Sequence, residues 1–433
     1  MRAGTAGRGL KSVRVESFAP GFTCAGAGDR AYFGGMANTV KPKIEEKDLK
    51  GFKHFKVLNA LLERLHETAC ARDRAGNRKL HYDQYTALIL LYFFNPIVTS
   101  LRGIQQVSQL RKVQRMLGCA RSSLGSLSDA ARVFDADLLR GIIGELADKL
   151  PDCRRNKDLQ DIRGIITLVD GTALSALPKL VKAMWHDADG RHGVKLHTHF
   201  ELLKGVPVRM DLTDSDYNER IVLQSSLQAG RVYVMDRGYA KFQLFADILD
   251  AKSSFVCRVR DNSVFEIIED RTTTSTSKPG EVLKDQTVRF SGDQPRQAGM
   301  DRPLRLVTIA CNPHRKHHKI GRGGPEQGES LLVATDMMDV EADVIALIYK
   351  HRWAIETFFR FFKHVLGCRH LLSHCTNGIE IQTYSAIIAC MLIALWTNRK
   401  PTLRTYEMLC HYMSGLASEE ELLAHIENLN PQD

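Results

Sequence analysis

Three absences narrow what this 433-residue chain can be. Its ten cysteines are scattered, with no Cys-x-x-Cys spacing, which argues against a disulfide framework or a zinc finger and for reduced thiols in a cytoplasmic protein. No apolar run approaches the ~20 residues needed to cross a bilayer. The longest, Ala87–Phe94 and Ala386–Trp396, read as core helices, so no membrane partner is expected. Tryptophan is scarce, 3 in all, and none lies between Asp261 and Asp339. What remains is ordinary globular composition, 44% hydrophobic and 25% charged, in a chain long enough for two or three domains. A net charge of +10 suits a polyanionic partner but is modest for this length.

Residues 1–44 are rich in Gly, Ala and basic side chains and lack the continuous apolar stretch of a secretory signal, so they read as a disordered arm, with Met36 as a plausible alternative start. Residues 45–155 carry helical patterning throughout. Phe52–Ala71 and Tyr82–Phe94 are expected helices, the second ended by Asn95-Pro96. Two more, Gly103–Leu117 and Ser128–Ile143, flank a Gly- and Ser-rich turn. Arg111, Lys112 and Arg115, with Arg102 and Arg121 nearby, could neutralise backbone phosphates in a helix-turn-helix arrangement; a small bundle with a basic outer face has the same pattern.

After Asp161 the texture becomes β. IRGIITLVDGTAL ends its apolar run at Asp170-Gly171, and GVKLHTHFELL and GVPVRMDLTD follow as an antiparallel pair. DYNERIVLQSSL reads as a short helix. GRVYVMDRGYA is a strand ending at Asp236, FQLFADIL a helix, and SFVCRVR a further strand. The order is three strands, helix, strand, helix, strand, with acids closing the first and fourth strands. That is the order of a ribonuclease-H-like core. The expected fold is therefore α/β: a ribonuclease-H-like mixed sheet with flanking helices, interrupted by a β-rich insertion, plus helical N- and C-terminal regions.

Residues 343–366 contain no Gly or Pro and read as one helix. At roughly 100° per residue, Tyr349, Arg352, Glu356 and Lys363 share an arc of about 60°. Leu347, Ile355, Phe358, Phe362, Val365 and Leu366 face the other way, toward a core. A charged stripe on a lone helix is ordinarily a solvated face. Two upstream aspartates change its meaning. Phosphodiester chemistry needs a hydroxyl made more acidic and a leaving oxyanion stabilised, and paired hard divalent ions held by carboxylates supply both.

Asp170, the DRGY run at Asp236–Tyr239 and the Tyr349-x2-Arg352-x3-Glu356-x6-Lys363 spacing together resemble the DDE transposases of bacterial insertion sequences, specifically the IS-four family. The similarity spans roughly residues 162–394, including LHTHFELLKGVPVRMDLTD, IYKHRWAIETFFRFFKHVLG and QTYSAIIACMLIAL. It implies that Asp170, Asp236 and Glu356 are catalytic and hold two Mg²⁺ ions, with Mn²⁺ also acceptable. It further implies that Tyr349, Arg352 and Lys363, with Arg237 and Tyr239, contact DNA. The implied partners are double-stranded DNA, as transposon ends and target, and a second copy in a synaptic homodimer; the implied location is the bacterial cytoplasm, at the nucleoid. No nucleotide cofactor is expected, because GRGG near residue 322 has neither a leading strand nor a following Lys-Ser/Thr.

The division expected from these patterns is 45–155 helical and DNA-binding, 156–260 and 340–385 as two parts of the catalytic core, 261–339 as the β-rich insertion, and 386–433 helical. Well-known relatives carry in the insertion a Trp that stacks on an extruded base. Here only Phe265 and Phe290 are available, so either one substitutes or that step differs. His314–Lys319 with Cys311 lacks the matched ligands of a zinc site and reads as a basic loop. His197 and His199 alternate along a strand and read as structural. Two other classes fit parts of the pattern: a structure-selective nuclease without strand transfer, and an inactive copy that only binds DNA.

Overall fold

The computed structural model describes residues 62–66, 79–150, 159, 162–173, 194–214, 217–271, 282–311, 330–367, 372–397 and 399–429. The N-terminal arm, most of the expected helix 52–71 and the basic loop at 314–319 lie outside them.

Helix α1 (Tyr82–Phe94) has the expected bounds and is almost wholly buried. The next two expected helices are each divided, giving α2 (Leu101–Ser108), α3 (Arg111–Leu117), α4 (Leu124–Val133) and α5 (Asp137–Lys149). Ser100 and Ser123 cap α2 and α4 by accepting backbone N–H bonds, as their short hydroxyls favour. The α4–α5 break has a tertiary cause. Asn377 Nδ2 donates to the carbonyls of Ala131 (2.8 Å) and Phe134 (2.6 Å), its Oδ1 accepts from Ala136 N, and Tyr82 Oη donates to the Asp135 carbonyl. These bonds satisfy the backbone groups that the interrupted helix leaves open.

The sheet begins with β1 (Ile165–Ala173), β2 (Val194–Glu201), β3 (Val206–Asp214), then α6 (Glu219–Gln224), β4 (Arg231–Met235), α7 (Phe242–Asp250) and β5 (Ser254–Arg258). β1–β2 and β2–β3 are antiparallel, whereas β1–β4 and β4–β5 are parallel. β6 (Phe265–Arg271), β7 (Val282–Phe290), the short α8 (Asp293–Gln297), β8 (Leu304–Ala310) and β9 (Ser330–Thr335) follow. The strands of 261–339 extend the same sheet, because β9 pairs with β5 and the nine strands run β3-β2-β1-β4-β5-β9-β8-β7-β6.

The sheet carries an apolar layer on each face. Ile166, Leu168, Val232 and Val234 pack in one core with Ile355, Phe358 and Phe362, while Tyr233, Met235, Phe255 and Cys257 pack in another with Leu244, Phe245 and Ile248. Alternation of side chains along each strand assigns the two sets to opposite faces. The chain then forms α9 (Ala342–Lys350), α10 (Trp353–Gly367), α11 (Thr376–Thr397), α12 (Leu403–Ser414) and α13 (Glu419–Glu427). α11 is long and apolar enough to cross a membrane, yet 83% of its apolar window is buried inside the fold, so here it is a core helix. The Ser418–Glu421 capping box opens α13 as expected.

Candidate active site

The sheet register aligns the two aspartates. β1 pairs with β4 as Leu168↔Val234, so continuing two residues sets Asp170 beside Asp236 on the same face of adjacent parallel strands. β4 pairs with β5 as Met235↔Cys257, and one residue further along Arg258 comes level with Asp236. That face is the one covered by α10. Asp170 lies within β1 rather than at its end, beyond the last pair with β4. Asp236 follows β4 directly and caps the 3₁₀ turn Arg237–Tyr239, its Oδ1 accepting from Gly238 N at 2.7 Å. Asp170 Oδ1 accepts from Gly171 N at 2.8 Å. Each aspartate thus spends one oxygen on a backbone N–H close by in the chain, Asp170 within its strand and Asp236 at its turn.

The expected single helix over 343–366 is two helices. At His351 and Arg352 the chain tightens to i→i+3 bonds (Arg352 N to Tyr349 O, Ala354 N to His351 O), and α10 starts afresh at Trp353. The break leaves the stripe usable. Arg352 Nη2 still donates to Glu356 Oε1 at 2.7 Å, and Arg352 Nη1 lies 3.6 Å from Asp170 Oδ2. One guanidinium therefore spans the carboxylates from β1 and α10. On its other side Arg352 Cζ stands 5.5 Å from the ring centroid of Trp353, which is 53% exposed.

Burial pushes the Asp170 carboxyl up to about 7, against the pull of Arg352 and with help from the negative charge of Asp236. Among the described residues no group of three or more His, Cys, Asp or Glu side chains is close enough to hold a metal ion. The donors nonetheless suit a hard cation in kind: they are carboxylates only, and the Asp170–Asp236 repulsion is what a divalent charge would relieve. Glu356, in the first turn of α10, is engaged by Arg352 rather than by the aspartates.

The remaining expected residues divide. Lys363 is half-buried on α10, and burial lowers its pKa. Arg237 is exposed and lines a hollow of about 670 Å³ with Asp236, Gly238, Arg260, Asp261 and Asn262. Tyr349 is 9% exposed, and burial raises its hydroxyl to about 12. Tyr239 corrects an expectation. It is 1% exposed and its hydroxyl bonds Glu219, so it braces the interior instead of facing DNA. Arg111 and Arg115 are exposed and Lys112 half-buried on α3, a separate element of the helical N-terminal part. Phe290 is 4% exposed and packs 5.9 Å from Phe265, so it belongs to the second core and offers no free face to a base. His197 and His199 are both structural, bonded to Thr213 and Ser226.

Sequence reasoning missed Arg258, Arg260 and Glu219. Arg258 stands level with Asp236, and its buried Nε has no hydrogen-bond partner among the described residues. The signal that identifies it is register, which needs the pairing of β4 with β5.

Three comparisons bear on this geometry. A family model described as the transposase DDE domain matches residues 163–392. A putative transposase of Sinorhizobium fredii is 27% identical over 54% of this chain, and the match covers 61% of that relative's length. A probable insertion-sequence transposase of Geobacillus stearothermophilus is 23% identical over 71% of this chain and 76% of its own, and a putative one of Synechocystis 24% identical over 70% and 80%. Among solved structures, a piggyBac transposase synaptic complex with hairpin DNA covers 87% of this chain and 84% of its own at 13% identity, with a TM-score of 0.34, too slight a likeness to carry an inference.

Proposed function

Because the chain belongs to the DDE transposase family, we propose that it is an insertion-sequence transposase that binds terminal inverted repeats, cleaves DNA at them and joins the freed 3′-OH to target DNA. The observation that carries this reading is the alignment of Asp170 and Asp236 on neighbouring parallel strands, with Arg352 joining Asp170 to Glu356. We read the five strands β3-β2-β1-β4-β5 as a ribonuclease-H-like core, interrupted by residues 261–339 and flanked by helical parts at 45–155 and 386–433.

Asp170, Asp236 and Glu356 are the residues that would hold divalent cations, Mg²⁺ or Mn²⁺, and such ions acidify an attacking hydroxyl and stabilise a leaving oxyanion. The chain's own residues have distinct tasks. Arg352 and Lys363 offer charge-assisted contacts to phosphate oxygens near the carboxylates. Arg237 and Arg260 extend that positive lining along the hollow beside Asp236, and Arg258 stands level with Asp236 on β5. Tyr349, being mostly buried, forms a wall of the site. Arg111, Lys112 and Arg115 neutralise backbone phosphates at the repeat, away from the chemistry. The working partners are double-stranded DNA at the transposon ends and target and a second copy of the chain in the synaptic complex, at the bacterial nucleoid.

The deciding experiment is cleavage of the element's end DNA with Mg²⁺ by the native protein and by Asp170→Ala, Asp236→Ala and Glu356→Ala. Each substitution is expected to abolish cutting while repeat binding survives. Retained cutting by any one removes that residue from the triad.

A further inference from the structure

Glu219, Lys195 and Tyr239 gather next to Asp170, and none of the roles above uses Glu219 or Lys195. Glu219 opens α6 behind its Asn218 cap, and its Oε1 is ion-paired with Nζ of Lys195 on β2. The buried hydroxyl of Tyr239, three residues after Asp236, bonds the same carboxylate. The backbone of Gly171 passes directly against it: a Cβ at 171 would stand 2.7 Å from Glu219 Oε1 and 3.1 Å from Lys195 Cε. Any side chain there would push the carboxylate away, so the close approach depends on glycine. Glu219 therefore touches the residue after Asp170 and the turn after Asp236. Both halves of the aspartate pair rest on it. Its charge also reaches Asp170, Tyr239 and His197. Lys195 and Glu219 are each about four-fifths covered, which keeps solvent from screening that charge fully.

Resting on the reading of Asp170 and Asp236 as cation ligands, we propose that Glu219 is a positioning residue of that site. It fixes the spacing of the two aspartates through Gly171 and Tyr239 and adds its negative charge to theirs, while Lys195 is the counter-ion that limits the addition. The role has a signature that a plain structural ion pair lacks. Breaking a structural pair from either end does the same damage. Here the two ends act in opposite directions on cation binding, because one removes negative charge and the other positive.

The test titrates the full chain with Mn²⁺ alone, free ion being followed by electron paramagnetic resonance, with thermal melting recorded for every variant. Glu219→Gln is expected to weaken Mn²⁺ binding about fivefold and Lys195→Met to tighten it by roughly twofold or more, from one charge at short range in a partly buried site. Gly171→Ala, which displaces only the end of a flexible side chain, is expected to match Glu219→Gln and keeps the test decisive if that variant folds poorly. Equal-direction shifts in Glu219→Gln and Lys195→Met, or no shift in Glu219→Gln and Gly171→Ala, overturn the proposal. Asp170→Asn serves as the control. If it leaves Mn²⁺ binding unchanged, the cation-site reading itself has failed and this inference falls with it; if it weakens binding while Glu219→Gln does not, only the inference is lost.

Discussion

Two arginines in this molecule meet carboxylates in very different ways. Arg305 on β8 makes a two-bond fork with Asp285 on β7, Nε to Oδ1 and Nη2 to Oδ2 both at 2.8 Å, and the side chains are 4% and 6% exposed. Its Nη1 also donates to the carbonyls of Met337, Met338 and Val340, the segment that leads from β9 into α9. Arg352 instead holds one carboxylate at 2.7 Å and another at 3.6 Å, in a setting where Glu356 is 32% exposed and the neighbouring indole lies open. The first arginine has its donors committed, as a buried charge requires. The second keeps a loose contact at 3.6 Å with Asp170, which is what the proposed exchange of a carboxylate for a phosphate requires. Saturation marks a clamp, and incomplete engagement marks a group free to act.

The largest expected effect tests the clamp. Arg305→Ala leaves Asp285 buried and unpaired and should cost about 3–5 kcal/mol of unfolding free energy. A loss in urea denaturation under ~1 kcal/mol, the range of exposed pairs, would erase the contrast. Arg352→Ala should lower DNA cleavage by roughly tenfold or more, the size of one charge-assisted contact to the reacting group, while its melting point stays near that of the native protein. If Arg352→Ala melts as early as Arg305→Ala, both are structural and the distinction collapses.

A histidine sharpens the comparison, because its burial outweighs the pull of Asp211, the negative charge that favours its protonation. Burial lowers His199 from its ordinary 6.5 to about 3. Below 6.5 the unfolded chain takes up a proton that the folded chain refuses until about 3, so stability falls as pH drops through that window. His199→Gln, which keeps a polar group near Ser226, should flatten this acid limb in pH-dependent melting. An unchanged limb would move the effect to another group. Lys363→Ala should have the smallest consequence, a loss of about two- to fivefold in strand processing with one phosphate contact gone. Kinetics equal to the native protein's would remove Lys363 from the site.

Much of this was legible in one dimension. Alternating apolar residues locate β1 to β5 within a few positions, since burial of one strand face demands period two. The spacing of Arg352 and Glu356 foretells their bond, because residues four apart share a helix face whatever surrounds them. The helix breaks were not legible. Neither His351-Arg352 nor the segment before Asp137 carries Gly or Pro. The earlier break is held by Asn377, 243 residues distant from Phe134. Arg258 and Glu219 escaped for a related reason: one matters through its level with Asp236, the other through its approach to Gly171.

Local propensity and periodicity, which act between residues a few positions apart, were enough to determine most element types, while the motifs at Asp170, Asp236–Tyr239 and Tyr349–Lys363 carried the family resemblance and, through it, the acids to suspect. Strand register, the turn of chain at Arg352 and the packing of Glu219 on glycine were decided only on folding. Each depends on contacts between distant segments, whose energies no local pattern encodes.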